Sequence, residues 1–348
     1  MPTDTSPRLH GIELTPEQER RALEVHRSSL IVDGSLVLIQ DESHFDLRRS
    51  GNVTVTNHTV TRPDDDLEEA LHGIDFCRRW IDAHPSQHLL ATTVADIQEA
   101  YKSGREAIVF GPQNTEMIGT DLTYLGTFYD LGVRILQLTY QRQNWVGSGC
   151  GEKRDAGLTI FGRRLVGSMD EMGILVDLSH CGPVTSRDAI ELSRNPIIFS
   201  HAHPAAIAPN VRAKDDDLLR AMAAKGGVIG VTALSSFCYD PARPKVRPGV
   251  ADMVKHIRYL VDLLGIDHVG VALDFEETNT PEHYYASVKR HPEIQEGWSY
   301  EEKRIHDLTE VKDLPNLTRG MVVAGFTDDQ IRKILGLNFM RVFEQVWH

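Results

Sequence analysis

The chain has 348 residues, a formal net charge of −13, 41% hydrophobic residues and 25% charged residues. That balance suits a soluble globular protein with a sizeable core, and the acidic surplus argues against a nucleic-acid partner, which requires clustered Lys and Arg to displace counterions. Residues 1–11 carry no apolar leader, and no apolar run approaches the roughly 18 residues that span a bilayer, so no membrane partner is expected and the cytoplasm is the default compartment. The cysteines Cys77, Cys150, Cys181 and Cys238 are scattered without a Cys-x-x-Cys pair, as in reduced proteins.

In chain order, short β-branched runs alternate with segments of helical period. Strands are expected at 29–33 and 52–56, helices at 66–82 and 94–102, a strand at 107–111, a helix at 122–131 and a strand at 134–139. A helix at 159–172, a strand at 174–179, a helix at 183–192, a strand at 196–200 and a helix at 215–224 follow. The series ends with a strand at 228–232, a helix at 250–264, a strand at 269–273 and a helix at 329–345. Gly132, Gly173 and Gly226-Gly227 punctuate helix ends, and Thr327-Asp328-Asp329 reads as a cap with an acidic first turn. Eight buried-looking strands alternating with helices imply a parallel sheet closed as a (β/α)8 TIM barrel of the α/β class. No linker divides the chain, so one barrel domain is expected over 1–348, with 1–27 as an N-terminal extension.

In such a barrel, function gathers just past the strand ends. The residues there are Asp33, Ser35, His58, Gln113, Tyr140, His180, His201, Ala233 to Ser235, and Asp274. A lone strand-end histidine is ordinarily a hydrogen-bonded structural residue. His180 and His201 differ, because each follows a Ser on neighbouring strands roughly 5 Å apart, where two imidazoles converge on one metal ion. His203 has the spacing of a loop histidine, and His58 and His44 stand in reserve as ligands. The run Asp64-Asp65-Asp66 reads as N-terminal helix charge, and Gly226-Gly227 lacks any nucleotide-binding context.

The segments Asp130-Leu-Gly-Val-Arg134-Ile-Leu-Gln-Leu-Thr-Tyr140, Gly173-Ile-Leu-Val-Asp-Leu-Ser-His180, Ser200-His201-Ala-His-Pro204, Gly265-Ile-Asp-His-Val-Gly-Val-Ala-Leu-Asp274-Phe275 and Lys333-Ile-Leu-Gly-Leu-Asn338-Phe-Met-Arg341 resemble the membrane (renal) dipeptidase family of the amidohydrolase superfamily. The resemblance runs from about Ile31 to the C-terminus. It implies a zinc barrel in which two ions share a bridging glutamate and activate a water against a dipeptide amide. On that resemblance His180 and His201 hold the second metal, Asp274 stands beside the first, and Arg212 binds the substrate carboxylate.

The chain departs from the family pattern at three places. Ser35-Leu36-Val37 stands where the family has a His-x-Asp pair, Gln113 where it has the bridging glutamate, and Tyr140 where it has a substrate-contacting histidine. Valine cannot ligate, and a neutral amide cannot bridge two cations. The segments around Gln113 and from Tyr140 to Asn144 resemble a divergent dipeptidase-like branch.

The expected cofactor is therefore one zinc ion, held by His180, His201 and a third ligand from Asp274, Gln113, Glu276 or His58. Asp274 is the expected general base and acid, Tyr140 an oxyanion donor, and Arg212 a bidentate partner for a substrate carboxylate. Gln113, Asn144, Cys150 and Glu152 are expected to line the substrate pocket, the last two from the glycine-rich loop at 147–152. The reading is a hydrolase of dipeptides or N-acyl amino acids. A metal-assisted lyase or decarboxylase on a small carboxylate is the alternative, and an inactive ligand-binding barrel the second. Dimers are common among relatives, so a homodimer is expected.

Overall fold

The computed structural model describes residues 9–37, 43–276, 280–290 and 297–347. Its strands are β1 (Val32–Val37), β2 (Val55–Thr59), β3 (His88–Leu90), β4 (Glu106–Phe110), β5 (Ile135–Gln137), β6 (Leu175–Asp177), β7 (Ile198–Ala202), β8 (Val228–Thr232), β9 (Val269–Ala272) and β10 (Phe275–Glu276). They form two parallel arcs, β10-β1-β2-β4-β3 and β5-β6-β7-β8-β9.

The arcs meet along two seams. At one, Phe110 at the end of β4 bridges Val133, and Arg134 N donates to Phe110 O at 3.1 Å. At the other, β9 and β10 are halves of one strand broken at Asp274, whose φ is 56°. β10 pairs with β1 through Leu36–Phe275 and Val37–Glu276, while Asp274 N reaches Ser35 O at 3.0 Å. Counting β9 and β10 together and setting aside the short β3, eight strands make a (β/α)8 TIM barrel, as the alternation implied.

Most strand residues are buried, as expected where helices cover the outer face and side chains fill the barrel interior. The residues that begin the strands, among them Val32, Val55, Ile135, Leu175, Ile198 and Val228, pack with Phe339 and Phe343 of the last helix, Asn338–Val346, and with Trp347 just beyond it. That helix plugs the N-terminal end and leaves the opposite mouth for the site.

The expected strands at 29–33 and 52–56 lie about three residues too early. Ile31 O accepts from both Thr54 N and Val55 N at 2.9 Å, which starts the β1–β2 ladder later and carries it to Val37 and Thr59. One consequence is that His58, expected past a strand end, is inside β2. The last helix, expected over 329–345, is divided into Asp328–Arg332, a π-helical turn at Lys333–Leu337, and Asn338–Val346. Asn338 Nδ2 donates to Ile266 O and Val269 O, both at 2.7 Å, and ties this turn to the strand above it.

The sequence reading passed over β3 and the helices Pro16–Arg27, His44–Ser50, Pro281–Arg290 and Pro315–Val323. Pro16–Arg27 begins with a capping box between Thr15 and Gln18. It is docked on the barrel, with Arg319 Nη2 and Nε reaching Glu19 at 2.6 and 2.8 Å. All four cysteines are buried, and none is in a disulfide among the described residues. No helix among the described residues is long and apolar enough to cross a membrane.

Two buried histidines outside the site couple this packing to pH. His26 sits between Thr318 Oγ1 (2.8 Å) and Gly51 O (3.0 Å), and His256 is enclosed on the helix Val250–Leu264 with no hydrogen-bond partner at either ring nitrogen among the described residues. Burial lowers each pKa to about 4 from 6.5. The unfolded chain therefore binds protons between about pH 6.5 and 4 that the folded chain refuses. Stability is complete above that window and falls as pH drops through it, by up to roughly 3 kcal/mol per histidine. Urea midpoints at pH 7 and pH 5 should show the fall, and His256→Leu should reduce it. Equal midpoints for the wild-type protein would refute the coupling.

Candidate active site

The mouth of the barrel holds a cavity of about 920 Å³ whose lining includes Gln113, Tyr140, His180, Arg212 and Asp274. With Glu276, these are the sequence-derived candidates that line it, and His201 adjoins His180.

His180 follows β6 and His201 lies near the end of β7, and their Nε2 atoms face each other at 2.9 Å. A hydrogen-bond chain fixes the second ring. Ser200 Oγ donates to Asp177 Oδ2 at 2.5 Å, so it accepts from His201 Nδ1 at 2.7 Å and leaves Nε2 as the lone-pair nitrogen. Ser179 Oγ donates to Asp177 Oδ1 at 2.6 Å and accepts from His201 N at 3.1 Å, clamping the same strand. Burial, then Arg212 and Lys214, hold the His201 pKa well below its ordinary value, so the ring is neutral. A neutral imidazole oriented through its other nitrogen is the form that binds zinc.

Arg212 is 1% exposed and reaches the cavity. Its Nε donates to Ser179 O at 3.2 Å and its Nη2 to His201 O at 2.9 Å. The nearby acidic run is engaged elsewhere: Asp215 caps a helix, Asp216 accepts from Tyr259, and Asp217 pairs with Arg220. No carboxylate among the described residues forms an ion pair with Arg212.

Tyr140 stacks on His180 with ring centroids 4.1 Å apart. Burial raises its phenol pKa far above ordinary, so it remains a donor. Asp274 Oδ1 accepts from Ser35 Oγ at 3.1 Å. Burial raises this carboxyl to about 6, with Arg212 working in the opposite direction.

The half of the site that departs from the family pattern is a neutral hydrogen-bond chain. Gln113 Nε2 donates to Ser35 Oγ (3.2 Å) and Thr59 Oγ1 (2.8 Å), and Ser35 passes its own proton toward Asp274. Val37 completes this wall. Nothing here supplies the anionic bridge that two adjacent cations need. Among the described residues, no third His, Cys, Asp or Glu closes a three-ligand group around His180 and His201. Asp274, expected as that third ligand, is drawn to Ser35 instead. Among the described residues, the donors at the mouth fit an ion on the two imidazoles and supply no anionic bridge for a second.

Three expected pocket residues lie outside the cavity lining. Asn144 Nδ2 donates to Asn114 Oδ1, Thr115 Oγ1 and Leu138 O at 2.8–3.0 Å, and its Oδ1 accepts from Val146 N and Gly147 N, so it clamps its own loop. Cys150 is buried with Sγ 2.8 Å from Gln141 Oε1. Glu152 is exposed and accepts from Gln143 N at 2.9 Å. The loop's glycines serve packing: a Cβ on Gly149 would collide with the Gln141 backbone.

His203 is a loop clasp, with Nε2 2.9 Å from Ala208 O. Glu276 lines the cavity's outer part and pairs with His283 at 3.1 Å. Neither His58 nor His44 reaches the cavity, because both point into the barrel wall.

Two residues that support the histidine pair are not among the sequence-derived candidates. Asp177 lies in the quoted Val-Asp-Leu-Ser-His180 segment, and its position two before Ser179 was the available signal. Lys214 is buried under the histidine pair, with Nζ 3.1 Å from Leu178 O and 3.0 Å from Cys181 O. Burial lowers its pKa to about 8. No periodicity marks it, since it lies in a loop that only the fold tucks inside.

The profile of the membrane dipeptidase family (peptidase family M19) matches residues 49–297. That match begins beyond β1, the strand that ends in Ser35-Leu36-Val37. Dipeptidase tcpJ of Claviceps purpurea (strain 20.1) is 26% identical over 283 residues, covering 80% of this chain and 60% of that protein. The chain therefore spans about three fifths of the length of that curated relative. An amidohydrolase structure from Pseudomonas aeruginosa superposes with a TM-score of 0.86 at 29% identity, covering 94% of this chain and 99% of the other. A metallopeptidase from Rhodobacter sphaeroides, liganded with a phosphinate mimic of the dipeptide L-Ala-D-Ala, shares the fold with a TM-score of 0.78 at 21% identity, covering 92% and 100%. By the extent of the profile match, this chain belongs to the membrane dipeptidase family.

Proposed function

We propose that this protein is a metal-dependent hydrolase that cleaves the amide bond of a dipeptide or N-acyl amino acid with a free carboxylate, using one zinc ion on His180 and His201. The observation that carries the reading is Arg212, a buried guanidinium at the cavity that forms no ion pair among the described residues and lies beside the histidine pair. A planar fork with five donors suits a substrate carboxylate. Zinc bound there supplies a Lewis acid that lowers the pKa of water and polarises a carbonyl.

The chain's own groups do the rest. Arg212 anchors the carboxylate and so places the scissile amide over the histidine pair. Asp274 takes the proton of the attacking water and returns it to the leaving nitrogen, its raised pKa bringing it closer to the working pH. Tyr140 donates its hydroxyl hydrogen to the oxygen that gains charge. The Asp177–Ser200 chain holds His201 in the ligating tautomer. One barrel domain over 1–348, a cytoplasmic location and a homodimeric state belong to the same proposal.

The test is metal content by elemental mass spectrometry on protein purified without chelator, with His180→Ala and His201→Ala beside the wild type and a panel of dipeptides and N-acyl amino acids as substrates. Each variant should lose the catalytic ion and bring turnover to background. Turnover that survives either substitution, or a wild-type protein that hydrolyses no member of the panel when supplied with zinc, would overturn the proposal.

A further inference from the structure

A second cluster of metal-binding chemistry lies in the barrel wall. His44 comes from the short helix His44–Ser50, His58 from β2, His88 from β3 and Glu106 from the first position of β4. All four are buried, with exposures of 0%, 0%, 1% and 1%. None lines the cavity.

The ligand atoms of His44, His58 and Glu106 all lie within 4.8 Å of one another. His44 Nε2 is 3.1 Å from Glu106 Oε2, and His58 Nε2 is 3.8 Å from Oε1. In a tetrahedral zinc site with bonds of roughly 2.0–2.1 Å, neighbouring ligand atoms stand about 3.3 Å apart. The two imidazole–carboxylate separations bracket that edge, so Glu106 and each histidine already stand near the spacing an ion requires.

A purely ionic reading of the cluster leaves polar atoms unsatisfied. Arg48 is paired with Asp33, and its Nε lies 3.9 Å from Glu106 Oε1. Neither nitrogen of His58 meets hydrogen-bond geometry with any partner among the described residues. His88 Nδ1 is 3.2 Å from Glu106 Oε2, also without that geometry. Buried imidazole nitrogens without partners are rare, and an unplaced ion is one of their explanations. Thr56 Oγ1 donates to Glu106 Oε1 at 2.6 Å, the kind of contact that orients a ligating carboxylate.

We propose that His44, His58 and Glu106 bind a divalent transition-metal ion, zinc or one of similar preference, in the barrel wall, with Thr56 and His88 orienting the carboxylate. The ion staples the short helix to β2 and β4 and is structural, since it lies apart from the cavity. It is independent of the cavity ion, so the two readings fail separately.

The experiment uses the full chain carrying His180→Ala and His201→Ala together, substitutions that leave the wall untouched. Folded protein is equilibrated with zinc, dialysed, and analysed for metal per chain. We expect about one equivalent retained in this variant, and its loss on adding His58→Gln. Zinc X-ray absorption on the double variant supplies a readout that does not depend on the His58 variant folding: a first shell with two imidazoles and a carboxylate supports the site. No zinc in the double variant, zinc undiminished by His58→Gln, or a shell of sulfur or of oxygen alone would overturn it. A double variant that holds as much zinc as the wild type would count against the catalytic reading and leave the wall site standing.

Discussion

Asp274→Asn should lower kcat by about 10²–10⁴-fold while leaving the melting temperature almost unchanged, because the substitution removes proton transfer and little else. Asp274 has φ 56° where the eighth strand breaks, a left-handed conformation that Asn tolerates nearly as well as Asp and that β-branched residues do not. The side-chain oxygen that accepts from Ser35 is retained, and the backbone bond from residue 274 to Ser35 O does not involve the side chain. What is lost is a carboxyl that burial has raised to about 6. Steady-state kinetics on the best dipeptide substrate would measure the effect. A kcat within threefold of wild type would assign Asp274 a structural role only. Asp274→Ala is the less informative variant, since it adds backbone strain to the chemical loss.

The second large effect is one of stability, at the opposite end of the barrel. Phe339→Ala should cost about 3–5 kcal/mol with little change in kcat at permissive temperature. The ring is 1% exposed and fills the space that two glycines leave open. A Cβ on Gly34 would stand 3.1 Å from the Phe339 Cζ, and one on Gly270 would collide with the ring edge. Removing the ring leaves a cavity that rigid strands cannot collapse into. Urea unfolding gives the number directly, and a loss below about 1 kcal/mol would mean that the plug repacks, as sites able to collapse do. Gly270→Ala should also destabilise by overpacking, and Gly270→Ala with Phe339→Leu should cost less than the sum of the two, because the two sites touch.

Strand-end position located His180, His201, Tyr140 and Asp274 because a parallel barrel directs whatever follows its strands to one mouth. The same rule failed at His58. The β1–β2 ladder starts three residues later than the β-branched runs suggest, and a side chain expected at the mouth turns into the wall. Asn144, Cys150 and Glu152 were inferred from a glycine-rich loop, and that composition serves either ligand approach or tight packing. The Gly149 contact with Gln141 shows packing.

The sequence by itself determined the barrel, since alternating strand and helix periods with buried strands admit few other architectures. It also determined the absence of an anionic bridge at Gln113, because a side chain's charge does not depend on its surroundings when it has none to lose. Only the tertiary structure decided which groups act together. Asp177 governs His201 through Ser200 on the neighbouring strand, Lys214 reaches beneath the pair from a loop, and Ser35, Gln113 and Asp274 join across 239 residues of chain. Such contacts depend on strand register and loop path, which arise from packing over the whole barrel and leave no local period in the chain.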